Sequence, residues 1–444
     1  MTGGLVFAYD YDKTNNERNN HEDVTPDDES LEHFSIAPLF ILETTSQLDN
    51  LTISFNPSFV YDQVSDQHDI DNNVEISAYR FFSRKIRIDF SDTFIYSDDP
   101  ELLEDENRSN YNQNRRRYKV NNFNCNATYN YGIESFVATG YRYEILRNEE
   151  TGPGGYEDYD RHNPTLSLQH RFNPLLNVNV MWGYTRGIFD PPAPAVIEES
   201  YNNDTISNDL SEYRFTPRIN YILSRRNTLW FSHDYTLINY DALLRSDSCL
   251  YEFTLGSEYH HTRRLSFEFD GGPSYEQTDG LELQWGYNAH LGFNYDIDRN
   301  SILTASITKG YDEQNFSSAN TALGRSQGFS AFWELEMSLV RELDTGLTGT
   351  AFFSYRRDEH QEYPLDSFAN TPDTYVDRET LREESMLNLK VYEAGCSLGY
   401  NFLRWYSADL RYTYSKQESE LIEERYDEHR IYLTFSIQKE ILRW

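Results

Sequence analysis

Two sets of ionisable residues fall at even spacings. Arg214 and Arg218 stand four positions apart, and Arg171 lies on an earlier segment. Glu252, Glu258, Glu268, Asp270 and Glu282 hold one parity over successive segments. Even spacing matters because alternate residues of a β-strand share a face. On the wet face of an array of strands, the three guanidinium groups form a basic ladder and the five carboxylates an acidic wall. Rings and walls of this kind sort charged solutes in an aqueous path. The competing reading is that such charges pair across strands and hold the wall together. Other charges of the same parity, among them Arg142, Glu144, Asp234 and Glu336, leave both readings open. Trp230, Phe332, Phe352 and Tyr432 share the inward parity, either as flat faces for sugar rings or as steric filling.

Other chemistry is poorly provided for. The chain has no Gly-x-Ser-x-Gly, Gly-x-Gly-x-x-Gly, phosphate loop or His-Glu-x-x-His. Cys125, Cys249 and Cys396 lie far apart and form no CxxC or CxxCH motif. A Ser-His-Asp set assembled across strands is recognised by geometry alone, and nothing in the sequence singles out its serine. The expectation is a protein that is not an enzyme and carries neither cofactor nor metal. Carboxylate-rich segments, such as Glu22 to Glu29 and Asp98 to Glu106, match no calcium-loop pattern. With 73 acidic against 39 basic residues and a net charge of -34, nucleic acid is excluded as a partner of any broad surface.

Faces of this kind require strands, and the period of the chain supplies them. Leu51, Ile53, Phe55, Pro57, Phe59 and Tyr61 alternate with Thr52, Ser54, Asn56 and Ser58. Leu283, Trp285, Tyr287, Ala289, Leu291 and Phe293 alternate likewise with Gln284, Asn288 and His290. No stretch approaches the roughly 18 consecutive apolar residues of a membrane helix. Only 38% of residues are hydrophobic, yet 15% are aromatic, which suits neither a disordered chain nor an ordinary globular enzyme. Strands of 10–16 residues, short turns at one end and long polar loops at the other describe an all-β fold. The predicted architecture is a single closed antiparallel transmembrane β-barrel of about 20 strands, within 18–22. Short turns face the periplasm and long acidic loops the cell exterior, so both termini are periplasmic. Tyr61, Tyr96, Tyr129, Tyr184, Tyr295, Tyr355 and Tyr412 are expected in the aromatic girdles of a bacterial outer-membrane protein. Pro57, Pro164 and Pro217 fall within strands on the outward parity, where bulges are expected.

One barrel domain spans 1–444, without an N-terminal plug, and the signal peptide of an exported precursor is absent from this numbering. The long loop 358–386, with Tyr363, Phe368, Pro372 and Tyr375, is a candidate constriction of the lumen. Trp444 is a candidate signal for the barrel insertion machinery. It is out of phase with Ile431, Leu433, Phe435 and Ile437, which a bulge near Lys439-Glu440 or a short tail would reconcile.

A recurring unit joins a Tyr- or Asn-bearing strand, a turn with Ser or Arg, and a strand ending in Tyr-x-Tyr. It occurs as Ala78-Tyr79-Arg80-Phe81-Phe82-Ser83-Arg84-Lys85, as Asn220-Tyr221-Ile222-Leu223-Ser224-Arg225-Arg226, and as Gly399-Tyr400-Asn401-Phe402-Leu403-Arg404 followed by Arg411-Tyr412-Thr413-Tyr414. The chain resembles, over roughly 30–440, the outer-membrane β-barrel porin superfamily whose members often accompany exopolysaccharide synthesis and export systems. The resemblance implies a channel passing small solutes or an extruded polysaccharide. Its partners would be outer-membrane lipids and lipopolysaccharide, with periplasmic export proteins. The alternative is a non-enzymatic scaffold barrel that houses or docks an export component or an electron-transfer cytochrome.

Overall fold

The computed structural model describes residues 1–16, 29–64, 66–98, 117–149, 158–190, 209–241, 247–279, 283–313, 329–344, 346–359, 389–419 and 425–442. Alternation of apolar and polar residues produces twenty strands there. The first ten are β1 (Thr2–Asn16), β2 (Glu29–Thr45), β3 (Asp49–Asp62), β4 (Gln67–Phe81), β5 (Ile86–Ser97), β6 (Tyr118–Gly132), β7 (Ser135–Asn148), β8 (Tyr159–Asn173), β9 (Leu176–Phe189) and β10 (Leu210–Ser224). The rest are β11 (Asn227–Tyr240), β12 (Ser248–His260), β13 (Leu265–Thr278), β14 (Gln284–Asp296), β15 (Ser301–Glu313), β16 (Phe329–Asp344), β17 (Leu347–Glu359), β18 (Leu389–Phe402), β19 (Tyr406–Glu418) and β20 (Tyr426–Glu440).

Each strand pairs antiparallel with its sequence neighbours, and β1 closes on β20 from Thr2↔Glu440 to Asn16↔Tyr426. The result is a single closed antiparallel transmembrane β-barrel. At about 4.8 Å between strands and about 40° of tilt, twenty strands enclose a backbone cylinder roughly 40 Å across, too wide for wall side chains alone to fill. The outward parity is apolar, with Phe34, Ile36, Phe40, Phe59, Phe269 and Leu291 exposed. Near the loop end it becomes aromatic. Tyr235, Tyr251, Tyr275 and Trp285 contact in sequence across β11–β14, with ring centroids 4.7, 4.4 and 5.3 Å apart. Tyr184–Tyr213 and Tyr355–Tyr392 continue the girdle at 5.1 and 4.9 Å.

The turn end is built by side chains that replace missing backbone partners. Ser83 Oγ accepts from the Lys85 N–H at 3.2 Å, Asn173 Oδ1 from Leu175 at 2.8 Å and Thr262 Oγ1 from Arg264 at 3.1 Å. Asp298 Oδ1 accepts from Asn300 at 2.8 Å, and that backbone donor holds its carboxyl below the usual carboxylate range. Glu134, Leu403 and Arg404 turn through the left-handed region, as Gly346 does at φ 86°.

Several expectations need adjustment. The prolines cost rungs but shift no register. The β2–β3 ladder lapses between Ile36↔Phe59 and Phe40↔Phe55, around Pro38 and Pro57, and resumes in phase. Pro164 and Pro217 interrupt β8–β9 and β10–β11 in the same way. A proline lacks the donor for a rung, but its fixed φ is compatible with a strand. The predicted bulges therefore do not form. β4 starts at Gln67, which leaves only 63–66 between β3 and β4, so one loop-end connection is short. The predicted constriction 358–386 lies, after Glu359, outside the described residues, as do Glu282 and Trp444.

Ring closure has its own side-chain clasp. The Arg430 guanidinium of β20 donates to Asp10 of β1 from Nε at 2.9 Å and from Nη2 at 2.7 Å, both side chains being about nine-tenths buried. Removing one member of such a pair strands the other charge. Arg430→Ala is expected to cost about 3 kcal/mol and to lower the temperature of the heat-induced gel-mobility shift. The double change Arg430→Met with Asp10→Leu should recover part of the loss.

Candidate functional site: the lumen wall

The inward parity carries the charges, and the strand order fixes where they meet. Asp234 of β11 stands directly opposite Glu252 of β12. Glu258 of β12 stands directly opposite Glu268 of β13. Asp270 faces Gly256 on one side and His290 of β14 on the other. Four of the five predicted acidic-wall residues, Glu252, Glu258, Glu268 and Asp270, are thus brought together on two adjacent strands. Asn288 Nδ2 lies 3.4 Å from Glu252, and His260 Nε2 lies 3.1 Å from Glu258. Like charges directly opposite are destabilising, so this arc concentrates negative potential at a cost to the wall.

The predicted basic ladder lies on the arc next to the acidic one. Arg171 faces Asn177 of β9, which faces Asn220 of β10, one inward position from Arg218. Each guanidinium is engaged locally. Arg171 meets Glu134 at 2.6 Å, Arg214 meets Glu212 at 3.3 Å, and Arg218 Nε donates to Asn220 Oδ1 at 2.9 Å. The strands across the ring from β11–β13 are β1–β3, by the count of twenty. They carry Asp10, Asp12, His33 and Asp62. The lumen therefore has a net negative sector rather than opposed positive and negative walls. Among the described residues, no three His, Cys, Asp or Glu side chains group to hold a metal ion.

The four inward aromatic residues do not line a slide. Trp230 lies over Gly256, directly opposite on β12, where a Cβ would overlap the indole. The Arg218 guanidinium covers the ring at 4.7 Å. Phe332 lies over Gly310, where a Cβ would come within 3.1 Å, and Arg356 covers it at 4.3 Å. Phe352 lies over Gly395 with Arg411 at 5.6 Å. Tyr432 has Arg430 at 6.0 Å. In the first three, a glycine opens a seat in the wall, the ring lies flat in it, and a cation covers the free face. These three rings therefore present a guanidinium to the lumen.

The loop-end mouth was missed from sequence. Tyr118, Leu146, Tyr159, Phe189, Leu210, Ile238, Tyr240, Leu250 and Phe329 form one buried cluster. Most are the last inward positions of their strands, and that is the available signal: Leu146, Leu210, Ile238 and Leu250 break the polar parity at one end only. Glu276 and Glu212 are buried beside them, at 2% and 3% exposure. The glycine seats are testable. Gly256→Ala should destabilise the barrel by about 1–3 kcal/mol. In a Trp230→Ala background the same change should cost about 1 kcal/mol less, read as urea midpoints in vesicles.

No protein-family model matches the chain, and no curated protein does. Solved structures do. A mutant ferric enterobactin receptor of Pseudomonas aeruginosa (PfeA) is 9% identical, over 99% of this chain and 81% of its own, with a TM-score of 0.54. The FrpB iron transporter of Neisseria meningitidis is 9% identical, over 99% and 82%, at 0.53. The siderophore receptor PirA of P. aeruginosa is 9% identical, over 98% and 80%, at 0.50. These matches overturn the resemblance to the exopolysaccharide-associated porins, since these three barrels are iron and siderophore receptors. At such identity the likeness is one of fold, and the chain has the closed barrel of an outer-membrane protein.

Proposed function

We propose that the barrel is an outer-membrane channel admitting small cationic solutes along the acidic sector of its lumen. The observation that carries this reading is the opposition of carboxylates, Asp234 to Glu252 and Glu258 to Glu268. A wall built only for stability would alternate charge at these rungs. A wall that lowers the energy of a passing cation gains from the opposite arrangement. The guanidinium groups of the adjacent arc are tied to local acceptors, which weakens their hold on anions. In this reading the loops face outward, both termini face the periplasm, and lipids, lipopolysaccharide and the insertion machinery are the barrel's partners.

A second reading follows from the shared barrel architecture, namely passage of an iron chelate. A ferric tris-catecholate is anionic and is disfavoured by the acidic sector. A scaffold barrel would conduct only when its partner is supplied or removed.

Planar-bilayer recording across a potassium chloride gradient separates these readings. Steady conductance with cation preference is expected. Glu258→Gln with Glu268→Gln should lower the cation-to-anion permeability ratio, by roughly fivefold per carboxylate removed, the factor for about 1 kcal/mol of contact-range interaction in water. Anion preference, or silence from protein shown to be folded, would sink the proposal. Entry of ferric enterobactin into proteoliposomes would favour the second reading.

A further inference from the structure

The β14–β15 ladder ends early. It runs from Asp296↔Ile302 to Ala289↔Lys309 and stops, although β14 continues to Gln284 and β15 to Glu313. The ladders on either side run on, β13–β14 to Glu276↔Gln284 and β15–β16 to Glu313↔Phe329. Missing rungs in the middle of other ladders fall at prolines, namely Pro38 and Pro57, Pro164, Pro217 and Pro273, and further register shifts lie beside the short turns, as at Asn130/Gly132 and Glu342/Asp344. Neither 284–288 nor 310–313 contains one. Both segments could form rungs, yet rungs such as Asn288 to Gly310 are not made.

The gap lies at membrane depth. Trp285, at the end of the aromatic girdle, is four residues beyond the last rung at Ala289, or about 10 Å of height for a tilted strand. Rungs omitted within a bilayer are costly. Side chains close the gap instead. On the lumen side the Tyr311 hydroxyl occupies the place of a Cβ at Gly286. On the lipid side Lys309 Nζ sits 5.1 Å from both the Tyr287 and Trp333 rings, which meet edge-on at 6.4 Å. Gly286 and Gly310 leave the lumenal edge without side chains, and Phe332 lies directly behind Gly310. Outside, Trp285 is 71% exposed and Leu283 45%. The seam is therefore a backbone slot closed by side chains, with Tyr287, Trp333 and Lys309 on its lipid side and Tyr311 and Phe332 on its lumen side.

We propose that the loop-end half of the β14–β15 seam is a lateral gate through which molecules with a hydrocarbon part pass between the lumen and the adjoining lipid leaflet. Opening moves the Tyr311, Tyr287, Trp333 and Lys309 side chains and breaks no β14–β15 rung. The axial conduction of ions is a separate path.

The test uses the full chain with Cys125, Cys249 and Cys396 replaced by serine, in dioleoylphosphatidylcholine vesicles, with photoreactive benzoylphenylalanine in place of Phe332. Light should attach lipid acyl chains to position 332 from the lumen side. Asn288→Cys with Gly310→Cys, oxidised to a disulfide, should bring that labelling down to the level of benzoylphenylalanine in place of Phe352, which faces the lumen away from the seam. If that pair does not oxidise, a bismaleimide joining Tyr287→Cys to Tyr311→Cys closes the same slot and is read identically. No lipid on position 332 with the seam free, or undiminished labelling with it closed, overturns the proposal. Conductance recorded on the same proteins tests the channel reading independently.

Discussion

Every backbone N–H and C=O of a chain crossing hydrocarbon needs a partner within the protein, and the rest of this molecule follows from that requirement. A sheet meets it only when its last strand pairs with its first. β20 does so with β1 along nearly the full length of both, and Arg430 and Asp10 clasp the join. Closure divides each strand into a lipid face and a lumen face. A chain with mean hydropathy of -0.74 can then live in a membrane, because only alternate residues need be apolar.

Closure also sets the problem of the interior. Twenty strands enclose more space than the wall can fill, so inward side chains must be stabilised along the wall instead of in a core. Two devices appear. Arg and Glu or Asp pair locally, as Arg142 and Glu144 do at 2.7 Å. Large rings are laid into glycine seats and covered by guanidinium groups, as at Trp230. Against that economy the carboxylates of β11–β13 stand out, since Asp234 faces Glu252 and Glu258 faces Glu268 at directly opposed rungs. Their arrangement makes sense as an electrostatic surface presented to water and its ions, not as a joint.

The strand count, the inward and outward parities, the girdles and the polar ends were legible because a period of two is written locally, in neighbouring residues. Glu252, Glu258, Glu268 and Asp270 were legible as one face for the same reason. What required strand order was not. That Arg171 and Arg218 lie on an arc beside the acidic one follows from counting around a closed ring. That Trp230 is seated on Gly256 follows from register between strands about 25 residues apart, which periodicity cannot supply. The mouth cluster departs from parity only at single positions such as Leu146 and Ile238. Tyr-x-Tyr units and Ser- or Arg-bearing turns reflect what any barrel of this kind needs, so they carried the class and misdirected the family.

The pairing of β1 with β20 has a kinetic side. Asn15 Nδ2 donates to Asp427 Oδ2 at 2.9 Å, and Thr2 pairs with Glu440, contacts spanning nearly the whole sequence. Contacts of such separation form late and slowly. Until the final strand exists, the first has a bare edge, and any partly made sheet has two. The chain therefore cannot mature piece by piece as it emerges. It must be finished, kept from zipping onto other chains, and then closed as a unit, so the aggregation hazard of its two edges lasts until the ring is complete.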